Sequence, residues 1–204
     1  GLLNISDRPQ WYVLQGGSRS YIPALIAPFK ERLLLNSGVT SIERKEDGVN
    51  IRINNGEVQY FDEVILACHS DQALAMLVDA SEDEQEVLGA MAYQNNEVVL
   101  HTDVNLLPKR RAAWASWNYR LDGKDADDIA SKPASVTYNM NILQQLPKDA
   151  PTFCVTLNQT ESIDSSKILR KFNYAHPVFN EASMNAQKER SRICGVRHTH
   201  FAGA

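Results

Sequence analysis

A series of short apolar segments separated by glycine turns, between residues 33 and 67, constrains the fold more than any other feature of this sequence. Strands are predicted at 33–35, 39–44, 49–53 and 57–60, with Asp47-Gly48 and Asn54-Asn55-Gly56 among the turns. Asp-Gly and Asn-Gly supply the positive φ angles that tight hairpins need. Alternation over 49–53 predicts a half-buried antiparallel strand, whereas the continuous apolar run 64–67 predicts a strand covered on both faces. We therefore expect a β-meander that leads into a buried strand.

Two helices are predicted after that strand. Ser70 can cap a helix that runs through about residue 78. Ser81 and Glu84 have the spacing of a capping box, in which each side chain bonds a backbone amide of the other residue. This pattern predicts a second helix that runs through about residue 91.

The rest of the chain predicts a second, antiparallel sheet with flanking helices, so the expected fold class is α+β. Its strands are expected at 98–100, 112–119, 135–141 and 152–157, and the acidic stretch 122–128 is expected to be a solvated loop. A strand at 11–14 should lead into the turn Gly16-Gly17, followed by a helix over about 20–33 that kinks or breaks at Pro28. Further helices are expected at 166–172 and 183–190, and a terminal strand at 193–202.

Composition argues against several kinds of partner. A net charge of −4 and a pI near 5.7 disfavour binding to nucleic acid, because nucleic-acid-binding proteins concentrate Lys and Arg against phosphates. Apolar runs such as 21–29 are much shorter than the roughly 20 residues that cross a bilayer, so no transmembrane segment is expected. Cys68, Cys154 and Cys194 form no CxxC pair, which indicates neither a disulfide framework nor a zinc site. A reducing, cytoplasmic location is expected.

Two local motifs have both a chemical and a structural interpretation. His198 and His200 are two apart, so a strand would place both imidazoles on one face, as metal ligands need. No third ligand accompanies them in a recognisable pattern, and we expect no metal site. Cys68 and His69 could be an activated thiol and its base, but adjacent strand residues point to opposite faces, which favours a packed cysteine.

Four segments, in this order, resemble the flavin-containing amine oxidases and their relatives, the protoporphyrinogen oxidases and phytoene desaturases. The resemblance covers 11–91 and 193–204 well, and 93–192 only by its content of strands. The four segments are Gln15-Gly16-Gly17-Ser18-Arg19-Ser20-Tyr21; Leu35 to Ile42 with the Asp47-Gly48-Val49 hairpin; Phe61 to His69; and His200-Phe201-Ala202-Gly203-Ala204. Two departures are that His69 stands where the family usually has proline, and that the Gly-x-Gly-x-x-Gly pattern of dinucleotide-binding proteins is absent.

The resemblance implies an FAD site and assigns residues to it. The backbone of Val39 would hold the adenine, Gly16 and Gly17 would lie near the flavin and the substrate cavity, and Ala67 would end a strand beside the cofactor. Gly203 and Ala204 would lie beside the ribityl and phosphate groups. Residues 1–92 would then be a partial FAD-domain segment, 93–192 the substrate-binding domain, and 193–204 a strand returning to the FAD domain.

The function implied by the resemblance is oxidation of a small molecule by hydride transfer to FAD. No catalytic residue is assigned, because the flavin supplies the chemistry. Trp114, Trp117 and Tyr138 would shape an apolar substrate cavity or else pack in the core, and Arg19 would bind an anionic group or else be ordinary surface charge. The substrate could be apolar or lipid-like. The alternative is a flavin-free or degenerate domain that serves ligand binding or assembly.

The absent glycine pattern also predicts how these 204 residues behave alone. We expect a fragment of a larger enzyme that is inactive by itself and binds FAD weakly or not at all, because backbone amides at a helix N-terminus normally hold the pyrophosphate. Apolar surface exposed in such a fragment would favour self-association.

Overall fold

The structure is a computed structural model, and it describes residue 10 and residues 12–121 and 135–203. The chain forms two compact units: unit 1 comprises Gly1–Arg32 and Asn96–Tyr174, and unit 2 comprises Leu33–Asn95 and Ala175–Ala204. Helices and mixed sheets make up the fold, which confirms the α+β class. Residues 1–32 thus group with 96–174. The division of functional roles at 92/93 and 192/193 stays a prediction.

The meander of unit 2 has three antiparallel strands in the order β1-β2-β3: β1 is Val39–Arg44, β2 is Val49–Ile53 and β3 is Val58–Phe61. Both hairpin turns lie where predicted. Gly56 has the expected positive φ, at 88°, whereas Asp47 and Gly48 do not, which corrects the expectation for that turn. The strand expected at 33–35 is wrong, since these residues form no strand and are exposed. A turn follows them at Asn36, where φ is 57°, and they pair with no strand among the described residues.

A parallel pair of strands lies at the centre of unit 2. β4 is Val64–Leu66, and it pairs with β10, Thr199–Phe201. The expectation that β4 is covered on both faces is wrong, because Val64 and Leu66 are buried whereas Ile65 is 67% exposed. Only one face of the pair packs against the unit 2 core. β10 is shorter than expected because Arg197 and His198 have positive φ angles, which end the extended backbone.

Three helices pack on this core: α2 is Ser70–Met76, α3 is Glu82–Gly89 and α5 is Glu181–Ala186, the last followed by a 3-10 helix at Gln187–Arg192. The predicted capping box is present, with the Ser81 hydroxyl and the Glu84 carboxylate each accepting from the other residue's amide. The core cluster of unit 2 includes Ile42, Val49, Val64, Leu66, Leu77, Val87, Leu88, Ile193 and Phe201.

The larger sheet has five strands in the order β6-β7-β8-β5-β9. These are β5, Tyr93–His101; β6, Trp117–Arg120; β7, Ser135–Asn139; β8, Cys154–Leu157; and β9, Ile168–Pro177. Between β7 and β8 lies a short helix, α4, at Met140–Leu143, capped by the Asn139 side chain.

Two sequence expectations for this sheet are wrong. Residues 166–172 are mainly strand rather than helix, because long-range pairing of β9 with β5 overrides local preference. The strand expected at 112–119 begins only at Trp117, the first residue of β6. The residues before it form a 3-10 helix at Arg111–Ala113 and then a loop.

The interior of unit 1 contains a hydrogen-bonded polar group beside the apolar cluster of Val99, Leu106 and Ile163. His101 Nδ1 accepts from the Asp103 amide at 3.1 Å, so Nε2 carries the proton and donates to Thr156 Oγ1 at 2.8 Å. Thr137 Oγ1 lies 2.8 Å from Thr156 Oγ1. Burial lowers the pKa of His101, which favours the neutral ring.

The N-terminal part of unit 1 contains α1, Ile22–Ile26, followed by a 3-10 helix at Ala27–Arg32. The change from α-helix to 3-10 helix at Ala27, just before Pro28, agrees with the break that the proline predicts. Residues 12–14 form no strand, which corrects the expectation for 11–14; Trp11 itself and the acidic stretch 122–128 lie outside the described residues. Within the described part of the chain, no helix has the length and apolar character needed to cross a membrane.

Candidate cofactor and substrate sites

The carboxyl ends of β4 and β10 meet at one edge of unit 2, because the strands are parallel and pair in register from Thr199–Val64 to Phe201–Leu66. The Ala202 amide continues this pairing and donates to the Leu66 carbonyl at 2.9 Å. In open sheets with parallel strands, ligands bind outside these carboxyl ends. The predicted residues Ala67 and Gly203 both lie there.

Gly203 lies against the backbone of Cys68. A Cβ added at position 203 would overlap the carbonyl oxygen, carbonyl carbon and amide nitrogen of Cys68, so only glycine permits this approach. The close passage leaves a side-chain-free backbone surface at the end of the two strands. Such a surface suits a cofactor that is held by main-chain atoms, and the next residue, Ala204, lies outside the described residues.

Val39 is the first residue of β1 and is 37% exposed. It pairs with Ile53, and the register then shifts before Ser41, so the ladder is irregular around Thr40. An irregularity of this kind leaves backbone groups outside the sheet ladder. Val39 therefore has the exposure and the irregular backbone that a main-chain contact to a ligand requires.

A cavity of about 410 Å3 lies beside Gly203 and Cys68 within unit 2. Its walls are mostly apolar and include Leu66, Val87, Phe179 and Phe201. Arg190 also lines it, but its guanidinium already donates to the Phe201 carbonyl, with nitrogen-to-oxygen distances of 3.0 and 3.3 Å. This arginine therefore fixes the end of β10.

Burial raises the pKa of the Cys68 thiol, which opposes formation of a reactive thiolate. His69 stacks on Tyr93 with ring centroids 4.4 Å apart. Both observations agree with a packed cysteine.

A buried ion-pair network connects β1 to the helices of unit 2. Arg44 donates to both carboxylate oxygens of Glu84 at 2.9 Å and to the Asp79 carbonyl at 2.9 Å, and its Nε lies 2.7 Å from Asp79 Oδ1. The Arg44 side chain is fully buried, and Glu84 is nearly so. Since Glu84 also completes the cap of α3, the network joins the strand that begins at Val39 to the start of that helix.

The glycine turn lies in unit 1. Gly16 and Gly17 have φ angles of 83° and 79°, and the Gly17 amide donates to the Leu14 carbonyl at 3.0 Å. The predicted turn is therefore present. Arg19 lies just after it in a 3-10 helix, where its side chain is exposed and forms no hydrogen bond or ion pair with the described residues.

Of the three predicted aromatic residues in unit 1, the structure brings two together. Trp117 and Tyr138 are directly opposite on β6 and β7, and their rings meet edge to face with centroids 6.1 Å apart. Trp114 lies in the preceding loop, where its indole N–H donates to the Pro108 carbonyl at 2.8 Å and Arg111 lies over its ring. Trp117 and Tyr138 are thus a cross-strand pair, whereas Trp114 holds a loop.

The histidine pair shares one carboxylate. His198 Nδ1 lies 3.1 Å from Glu63 Oε1, and His200 Nε2 lies 3.2 Å from Glu63 Oε2. His198 Nε2 also contacts the Glu46 carbonyl at 3.1 Å, so both of its nitrogens face acceptors. Among the described residues no group of three ligands is suited to a metal ion. When His198 is protonated, its contact with Glu63 is an ion pair.

This ion pair predicts a pH dependence of stability. Hydrogen bonding to Glu63 raises the pKa of His198 above its ordinary value near 6.5, so its stabilising contribution is full below that value and disappears as pH rises through the folded-state pKa. His198→Asn should therefore destabilise the protein in mildly acidic buffer and have little effect at higher pH. Urea unfolding midpoints across this range test it, with Glu63→Gln expected to behave similarly. An equal loss at every pH would contradict the prediction.

The parallel strand pair with its glycine close approach in unit 2 and the antiparallel sheet in unit 1 together define an α+β protein. The chain belongs to the flavin containing amine oxidoreductase family, whose profile matches residues 3–153. No curated protein matches the sequence significantly.

Solved structures share the fold at low sequence identity. One is the CLA-producing fatty acid isomerase from P. acnes, with a TM-score of 0.61 and 16% identity over 92% of this chain and 47% of that one. Putrescine oxidase bound to putrescine has a TM-score of 0.57 and 10% identity over 92% of this chain and 47% of that one. Reduced UDP-galactopyranose mutase has a TM-score of 0.52 and 15% identity over 84% of this chain and 42% of that one. The chain thus spans about half the length of these proteins.

Sequence reasoning missed two features of these sites. The contact of Gly203 with Cys68 joins residues far apart in the chain, and only the glycine itself was a signal. The Arg44–Glu84 pair was also missed. The only signal for it was a charged residue, Arg44, at the end of a predicted strand, together with a capping-box glutamate later in the chain.

Proposed function

We propose that this chain is part of an FAD-dependent oxidoreductase that oxidises a small molecule by hydride transfer to the flavin. The observation that carries the proposal is the close approach of Gly203 to Cys68 at the carboxyl ends of two parallel strands. Family membership supports FAD as the cofactor. When bound, the flavin accepts the hydride, and the protein supplies binding, orientation and exclusion of competing reactions.

The residues of unit 2 fit the binding of an extended dinucleotide through main-chain atoms. Ala67 and Gly203 present backbone without bulky side chains, and the irregular start of β1 at Val39 presents further main-chain groups. In unit 1, the Gly16-Gly17 turn is proposed to face the cofactor and substrate. Burial raises the pKa of the Cys68 thiol, which disfavours a nucleophilic role for this residue.

Titration of FAD with the 204-residue chain, followed by flavin fluorescence anisotropy, tests this function. We expect weak but saturable binding, with a Kd on the order of 100 µM, because the chain lacks the glycine pattern whose charge-assisted hydrogen bonds hold a pyrophosphate. Binding in the low micromolar range would show a more complete site than these residues predict. The flavin-free alternative is tested by the visible absorption of the whole protein, and a preparation that stays colourless with added FAD would favour it.

Some properties of the whole protein stay proposals. A small-molecule substrate and a cytoplasmic location fit an oxidoreductase of this kind. Self-association would use exposed apolar residues such as Ile65. Analytical ultracentrifugation over a range of concentrations checks this, and a monomer at all concentrations would exclude it.

A further inference from the structure

A groove of about 390 Å3 lies within unit 1, in the size range of small-molecule sites. It lies where the start of β6 approaches the end of α4, and the segment at Tyr12 and Val13 completes it. Its described lining residues are Tyr12, Val13, Ser116, Trp117, Ile142, Leu143 and Gln145. The Trp117 ring is oriented by its edge-to-face contact with Tyr138. The groove is thus built on a sheet and a helix end.

The described lining is mainly apolar and carries no charge. Ile142 and Leu143 come from one helix turn, and Trp117 supplies an aromatic surface. No described lining residue carries a carboxylate, an ammonium or a guanidinium. A charged ligand group placed here would lose hydration without gaining a counter-ion, which is costly.

Two polar side chains line the same groove and have no partner in the described part of the chain. Neither the Ser116 hydroxyl nor the Gln145 amide forms a hydrogen bond with a described residue, although the Ser116 carbonyl accepts from the Asn139 amide at 2.9 Å. Gln145 also has a φ of 50°, a left-handed conformation that is uncommon for a residue other than glycine or asparagine. Strained residues of this kind occur often at ligand sites.

We propose that this groove binds an uncharged, mainly aliphatic molecule with one hydrogen-bonding group, which Ser116 and Gln145 would contact. This proposal deepens the proposed function by naming a class of substrate. It rests on that function in one respect, namely that the bound ligand is the substrate. The family description names amines, yet the described lining offers no carboxylate to an ammonium group. Recognition would come from burial of the alkyl chain against Trp117, Ile142 and Leu143.

Three ligands with the same alkyl chain test the inference: decanol, decylamine and decanoate, each kept below its aggregation concentration. Isothermal titration calorimetry with the 204-residue chain, without FAD, should show decanol binding at least about tenfold more tightly than either charged ligand. Equal or tighter binding of decylamine by the wild-type protein overturns the inference. Absence of decanol binding also overturns it.

Substitutions in the groove separate a binding role from simple loss of structure. Trp117→Ala should weaken decanol binding about tenfold or more, whereas Tyr119→Ala should not, because Tyr119 lies on the same strand face but outside the groove lining. Ile142→Glu should reverse the preference and make decylamine the better ligand, since it adds the missing carboxylate. An unchanged preference in Ile142→Glu would contradict the assigned site.

Failure of this inference and failure of the proposed function are distinguishable. Decanol binding requires no cofactor, and FAD binding is measured separately at unit 2. Decanol binding, together with a whole protein that stays colourless with added FAD, leaves the groove assigned and removes the flavin function. FAD binding with a preference for decylamine leaves the flavin function and overturns the groove.

Discussion

Replacement of Arg44 by methionine is expected to destabilise the protein by about 3–5 kcal/mol, because it leaves the buried Glu84 carboxylate without its cation. The guanidinium donates to both oxygens of that carboxylate and also holds Asp79. Removing it should loosen β1 from the start of α3. Urea unfolding monitored by circular dichroism would measure the loss.

The matched control is Arg52→Met on the neighbouring strand β2. Arg52 is exposed and donates only to the Gly56 carbonyl at 3.1 Å, so we expect a change within about 0.5 kcal/mol. The double variant Arg44→Met with Glu84→Met should recover much of the lost stability, since it removes both buried charges. A single Arg44 variant as stable as the Arg52 control would show that the pair contributes little.

Replacement of Gly203 by alanine should cost about 2–4 kcal/mol and abolish measurable FAD binding. The new Cβ would overlap the backbone of Cys68, so the ends of β4 and β10 must separate. Their separation would displace Ala67 and widen the surface proposed to hold the cofactor. Unfolding midpoints and the FAD anisotropy titration measure the two effects on the same sample.

Gly38→Ala is the control for this substitution. Its added Cβ would meet only the Asn54 side chain, at an ordinary contact distance of 3.9 Å, and its φ requires no glycine. We expect wild-type FAD affinity and nearly unchanged stability. Unaltered FAD affinity in a folded Gly203→Ala protein would argue against a cofactor site at these strand ends.

Local sequence signals predicted much of unit 2. The Asp47-Gly48 and Asn54-Asn55-Gly56 turns determine the meander. Gly56 has a positive φ that is costly for most other residues, and a Cβ at Gly48 would overlap the Phe61 carbonyl and the Tyr60 ring. The capping box of Ser81 and Glu84 starts α3 for a similarly local reason. The order of motifs also indicated the flavin-containing family, which the match over residues 3–153 shows.

Tertiary structure decided the features that depend on distant partners. Residues 168–177 are a strand because β5 offers an edge to pair with, although the start of this segment was expected to be a helix. Ile65 is exposed because only one face of the parallel pair is packed, which an apolar run cannot reveal. The same holds for the candidate sites. The sequence by itself determined that glycine stands at position 203 and tryptophan at position 117, but the contacts with Cys68 and Tyr138 exist only after folding, because they join segments far apart in the chain.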